Sequence, residues 1–117
     1  MRQLKRQSAS LMGALCVASL AHAAPPADEA ELARKRGCLN CHAVDAAGEG
    51  GKVGPYFSDV AQRYAGQPQA IESVAERVQL GSKGLWLNKG VQVPMPRNPQ
   101  VTQEEARRLV AWILGLK

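Results

Sequence analysis

Gly37-Cys38-Leu39-Asn40-Cys41-His42-Ala43, written GCLNCHA, places two of the chain's three cysteines and one of its two histidines within five consecutive positions. Such a cluster serves as part of a metal site, as a redox dithiol, or as the attachment point of a larger group. The residues on either side decide among these. At 117 residues the chain has room for one domain.

Upstream, MRQLKRQSASLMGALCVASLAHA opens with Arg2, Lys5 and Arg6, runs through an apolar stretch from Leu11 to Leu20 and closes on Ala21-His22-Ala23. That order of basic, apolar and small residues is the pattern of a secretory signal peptide, and cleavage is expected after Ala23. The apolar run falls far short of the ~20 residues of a spanning helix, so stable membrane insertion is not expected. Cys16 follows Leu15, where a lipidated cysteine would follow a small residue, and is discounted. Removing residues 1–23 leaves 117 − 23 = 94 residues, 24–117, as the working domain. Cys16, His22, Met1 and Met12 leave with the leader. Cys38, Cys41, His42 and Met95 then have no competitors of their own kind.

Three of the 15 basic residues also leave, so the balance against the 10 acidic ones becomes 12 − 10 = +2. With no dense Lys/Arg face interleaved with aromatics, nucleic acid is not an expected partner. The aromatic side chains are limited to Tyr56, Phe57, Tyr64, Trp86 and Trp112. A domain this small buries a modest core and often relies on a metal, disulfide or cofactor.

Ala24 to Ala27 reads as an extended terminus. A helix is expected from about Asp28, with Glu31 in a weak capping pattern, running into GCLNCHA. Asp45 to Pro55, rich in glycine, reads as a surface loop; no strand precedes it and its spacing matches no phosphate-binding loop. Tyr56, Val60 and Tyr64 recur every four residues before Gly66 and predict a short helix. Ile71, Val74, Ala75 and Val78 predict another over about Pro68 to Leu80, stopped by Gly81. From Ser82 to Gln100 glycines and prolines prevent a regular element, and so long an irregular run is usually functional. Thr102-x-x-Glu105 is a capping box that opens a last helix with Ala106, Leu109, Val110, Ile113 and Leu114 on one stripe. No alternating pattern is visible. The expected fold class is all-α, with four short helices.

A structural zinc site needs four ligands, and the mature chain has only the crowded Cys38, Cys41 and His42 of the usual types. A thioredoxin-like dithiol belongs beside a strand-helix-strand unit, which is not seen. Covalent haem attachment fits: in C-x-x-C-H the cysteines reach two vinyl groups and the adjacent imidazole faces the iron. A haem c also fills the centre of a small core, and Gly37 then marks a close backbone approach or an ordinary helix end. Across the iron the candidates are a lysine or Met95, which stands in Val93-Pro94-Met95-Pro96-Arg97-Asn98. A lone methionine is often a core filler. Flanking prolines outside any helix favour ligation instead, which raises the potential and closes both iron faces to oxygen.

With these features in order, the chain resembles the class I c-type cytochromes, of the small bacterial monohaem electron-carrier type. The resemblance runs from about Asp28 to Lys117. It rests on GCLNCH, Val53-Gly54-Pro55, Arg77 with Gly81-Ser82-Lys83-Gly84-Leu85-Trp86, Pro94-Met95-Pro96-Arg97-Asn98, and Glu105 to Leu114. It implies that Pro55 offers its carbonyl to His42, that Arg77 and Trp86 hydrogen-bond a haem propionate, and that Asn98 sits by the Met95 sulfur. The plain alternative is an exposed Arg77 and a packed Trp86. Trp112 is implied where the first and last helices cross. Glu49-Gly50-Gly51 and Leu87 to Val91 depart from the shortest members.

The expected function is a periplasmic electron carrier, a monomer that docks transiently with redox proteins. Lys35, Lys83, Lys89 and Arg97 either ring the exposed haem edge or are merely solvated. Open alternatives are a fixed haem subunit of a larger complex, or a small haem enzyme or sensor with an open iron. No catalytic residue is expected.

Overall fold

The computed structural model describes residues 26–117; the leader read in residues 1–23 lies outside them. Among the described residues the chain forms α1 (Pro26–Lys35), α2 (Phe57–Arg63), α3 (Ala70–Leu80) and α4 (Gln103–Leu114). One-turn 3-10 segments lie at Cys38–Asn40 and Leu87–Lys89. Among the described residues extended pairing is confined to two isolated bridges, Ala43 with Gly50 and Ser82 with Met95. The fold is all-α.

Each boundary has a local cause. α1 starts at Pro26, earlier than the expected Asp28, because proline suits the first helical position, where its missing N–H costs nothing. Its first turn carries Asp28 and Glu29 and its last Arg34 and Lys35, matching the helix dipole at both ends. It does not continue into GCLNCHA: Gly37 takes φ 81°, a left-handed conformation that breaks the helix and starts the separate turn Cys38–Asn40. Tyr56 and Tyr64 flank α2 rather than belong to it. α3 begins at Ala70 after a turn in which Ala70 N–H donates to Gln67 O at 2.9 Å. α4 has the full capping box, with Glu105 N–H on Thr102 Oγ1 and Thr102 N–H on Glu105 Oε2, both 3.1 Å.

α4 is the central element and packs against α1, α2 and α3. One buried cluster joins Ala33 of α1, Ala75 of α3 and Val101 to Ala106, Leu109 and Val110 of α4. A second joins Phe57 and Val60 of α2 to Ile113. Leu109 and Val110 are the largest fully buried side chains, each worth about 1.5–3 kcal/mol relative to exposure. Trp112 packs on both clusters and meets Phe57 edge-on at 5.8 Å between ring centroids. Its contacts therefore reach α2 as well as the α1 side.

Ion pairs add orientation at the helix ends. Arg108 donates twice to the buried Glu29 (3.1 and 3.2 Å), joining α4 to α1, and Arg107 reaches Glu72 of α3. Arg36, just past α1, forms a two-pronged pair with Glu105 at 2.6 and 3.1 Å. None of the described helices is long and apolar enough to cross a membrane.

Candidate functional site

Around the small core the four helices leave one side open to a cavity of about 570 Å³. Cys38, Cys41, His42 and Met95, singled out from the sequence, all line it. Its floor is apolar, from Phe57 and Val60 of α2, Val74 and Val78 of α3, and Leu109 and Ile113 of α4. The irregular segment Ser82–Asn98 supplies the opposite wall.

The cysteine turn is built by its backbone. His42 N–H and Cys41 N–H both donate to Cys38 O, at 3.0 and 3.3 Å. Both thiols are free, Cys41 exposed and Cys38 half-buried, and burial raises the Cys38 thiol above its ordinary range. Among the described residues no three His, Cys, Asp or Glu side chains converge as a metal cage.

The glycine-rich loop, expected as an ordinary surface loop, lies against this turn. Gly51 N–H donates to Leu39 O and Gly54 N–H to Cys41 O, both at 2.8 Å. A side chain at Gly51 would collide with the Asn40 carbonyl, and one at Gly54 would come within 2.6 Å of His42 Cε1. These contacts need glycine because backbone or an imidazole ring occupies the space. Sequence reading missed them: glycine enrichment marks loops, while close approach shows only in three dimensions.

His42 is held on two sides. Its Nδ1 lies 2.7 Å from Pro55 O, an acceptor, so Nδ1 carries the proton and donates. Nε2 is then the unprotonated nitrogen. Phe57 stacks on the ring at 5.0 Å and 24°. Burial lowers the His42 pKa below the ordinary histidine value, with the Pro55 carbonyl opposing, which favours the neutral ring.

Met95 is fixed through its backbone. Met95 N–H donates to Ser82 O at 2.8 Å, and Met95 O accepts from Ser82 N–H at 3.1 Å. Gly81, at φ 80°, makes room, since a Cβ there would stand 2.5 Å from Met95 O. Asn98 gives its amide protons to Val78 O (2.9 Å) and Pro96 O (3.1 Å). Asn98 thus joins the last turn of α3 to the backbone of the Met95 loop.

Arg77 and Trp86 both face the cavity. Arg77 Nη1 donates to Tyr64 Oη at 2.7 Å, a partner the sequence did not suggest. Trp86 packs on the Phe57 cluster, and the Arg63 guanidinium lies 4.6 Å above its ring while donating to Leu85 O. Of the four expected edge cations, Lys35, Lys83, Lys89 and Arg97, only Lys83 lines the cavity, and Lys89 lies 3.5 Å from Asp59. From Arg77 to Gln103 the chain has no acidic residue, so this wall is positive.

Two free thiols, a neutral imidazole with one nitrogen unprotonated, a thioether and a largely apolar interior form a donor set that suits a covalently held haem. The family model for cytochrome c matches residues 27–117. The chain belongs to the cytochrome c family. Cytochrome c2 of Rhodocyclus tenuis is 46% identical over 92 residues, covering 78% of this chain and 95% of that protein. Cytochrome c-551 of Pseudomonas aeruginosa is 39% identical over 98 residues, 84% of this chain and 86% of that one. The crystal structure of wild-type Nitrosomonas europaea cytochrome c552 superposes with a TM-score of 0.65 at 39% identity, covering 75% of this chain and 99% of the other. This cytochrome c is thus a small class I electron carrier rather than an enzyme, and its family implies covalently bound haem c.

Proposed function

We propose that this cytochrome c is exported, processed after Ala23 and works in the periplasm as a monomeric carrier with one haem per chain. Cys38 and Cys41 would hold the haem by thioethers, and His42 and Met95 would ligate its iron. The observation that carries this reading is the meeting of His42 and Met95, distant in sequence, on one cavity that both thiols also line. When bound, the haem supplies a one-electron Fe(III)/Fe(II) couple.

The chain's own residues make that couple useful. Pro55 O fixes the His42 tautomer and, by accepting the Nδ1 proton, raises the basicity of Nε2. Phe57 prevents the ring from turning. The Ser82 bridge holds Met95 by its backbone on both N–H and C=O, which would limit rearrangement on electron transfer. The apolar floor would disfavour the more highly charged oxidised form, so thioether ligation and burial would both raise the potential.

Arg77, oriented by Tyr64, and Trp86 would meet a haem propionate at the cavity wall. Lys83, Arg97 and their neighbours steer acidic redox partners to that face for brief contact. The basic, apolar and small-residue order of residues 1–23 supports export.

Intact mass and carbon monoxide binding test this together. The mature protein should begin at Ala24 and carry the mass of a single haem, and its ferrous form should resist carbon monoxide. A chain retaining residues 1–23, or ready carbon monoxide binding by the wild type, would overturn the corresponding part.

A further inference from the structure

The Met95 loop is anchored upstream by the Ser82 bridge. Its downstream end is held by something the sequence does not advertise. Gln100 Nε2 lies 3.2 Å from Arg36 O and 3.1 Å from Asn98 Oδ1, so each proton of the Gln100 amide has an acceptor. Asn98 in turn gives both of its amide protons to Val78 O and Pro96 O and its backbone N–H to Gln79 O at 3.1 Å. Two side-chain amides in series therefore span from the end of α1 to the last turn of α3. Pro96, next to Met95, sits within that span.

Arg36 is engaged twice by the same stretch of chain. Its carbonyl accepts from Gln100, and its guanidinium holds Glu105. Only Gly37 separates Arg36 from Cys38. Arg36, Gly37, Asn98 and Gln100 all lie on the cavity lining.

We propose that Gln100 is a positioning residue for Met95. Its amide ties the Met95 loop to the backbone entering the cysteine turn, and so sets how often the Met95 face of the haem cavity opens. The inference rests on the reading of Met95 as an axial ligand and adds a residue to it. Removing the amide leaves the Ser82 bridge and the bonds donated by Asn98 in place. What is lost is the tie across the rim, so opening becomes easier while the fold persists. Because Gln100 is exposed and water competes for its acceptors, the effect should be about fivefold, that of one ordinary hydrogen bond.

The test uses the haem-loaded protein, with free imidazole as a probe that binds ferric iron only when Met95 has left it. Imidazole affinity and the denaturant midpoint are measured for wild type, Gln100→Ala, Gln100→Glu and Arg107→Ala. Gln100→Glu keeps the volume but cannot donate to Arg36 O. Arg107→Ala breaks a surface pair remote from the cavity. Both Gln100 variants should bind imidazole about fivefold more tightly than wild type, and Arg107→Ala should not. Unchanged imidazole affinity in the Gln100 variants, whether or not the midpoint falls, overturns the proposal and makes Gln100 merely structural. Tighter binding in Gln100→Ala alone also overturns it, since volume rather than the amide would then be responsible. A wild-type ferric spectrum without the methionine-ligation band near ~695 nm removes instead the ligand reading on which the proposal stands.

Discussion

The carbonyl oxygen of Pro55 lies 2.7 Å from Nδ1 of His42, and the glycine before that proline leaves the imidazole its space. One short segment thus sets the tautomer, the orientation and the clearance of the proposed iron ligand. Gly54→Ala would put a Cβ 2.6 Å from His42 Cε1, so either the ring or the loop must shift. The loaded protein should lose about 1–3 kcal/mol in denaturant unfolding, the usual result of overpacking, and its potential should change. Gly48→Ala, where a Cβ meets only ordinary contacts near Asp45, should stay within about 0.5 kcal/mol of wild type.

Tyr64 and Arg77 form the hydrogen-bonded pair on the cavity wall. Tyr64→Phe keeps the ring and removes the acceptor, leaving a guanidinium short of one partner. A loss of about 1.5 kcal/mol is expected, as for a hydrogen bond to a charged group. If Arg77 also meets a propionate, the midpoint potential of Tyr64→Phe will shift as well, and Arg77→Leu will shift it further. A redox titration of the three proteins decides this.

The pair of Arg36 and Glu105 gives stability a defined dependence on pH. Arg36 holds the Glu105 carboxyl below its ordinary value of 4.5, through the hydrogen bond first, so the folded state favours the ionised form. That contribution is complete above pH 4.5 and is lost as pH falls through the lowered folded value. Glu105→Gln retains a side-chain oxygen for the capping box and loses the charge. It should therefore melt below wild type at pH 7, with the gap closing at pH 3. A gap that stayed constant across that range would show that the ion pair carries none of the difference.

The positive wall between Arg77 and Gln103 leads to a kinetic expectation. Electron transfer to an acidic redox protein should slow steeply as salt is added, and Lys83→Glu should be slower than wild type at low salt only. Lys89, partnered by Asp59, should matter less than Lys83. A rate independent of salt would exclude steering by this face.

Much of this site could be read from the residue order. C-x-x-C-H at Cys38 to His42, the lone Met95 between prolines and the Thr102–Glu105 box are local signals, and local physics produces them. Tyr56, Val60 and Tyr64 located α2 to within a residue at each end because their spacing is a packing face. The end of α1 was overextended, since Gly37 acts through a left-handed turn that composition does not show. The glycines from Asp45 to Pro55 signal only a surface loop. Its closeness to the cysteine turn depends on Gly51 and Gly54 meeting backbone and ring from another part of the chain. The roles of Tyr64, Arg36 and Gln100 were hidden for the same reason, because each partner is remote in sequence.

The most direct test is the optical spectrum of the ferric, haem-loaded protein, recorded for wild type and for Met95→Ala. Ligation of the iron by both His42 and Met95 predicts a weak band near ~695 nm in the wild type, absent in the variant, together with new carbon monoxide binding by the ferrous variant. A wild-type spectrum lacking that band, or equal carbon monoxide binding by the two proteins, would contradict it.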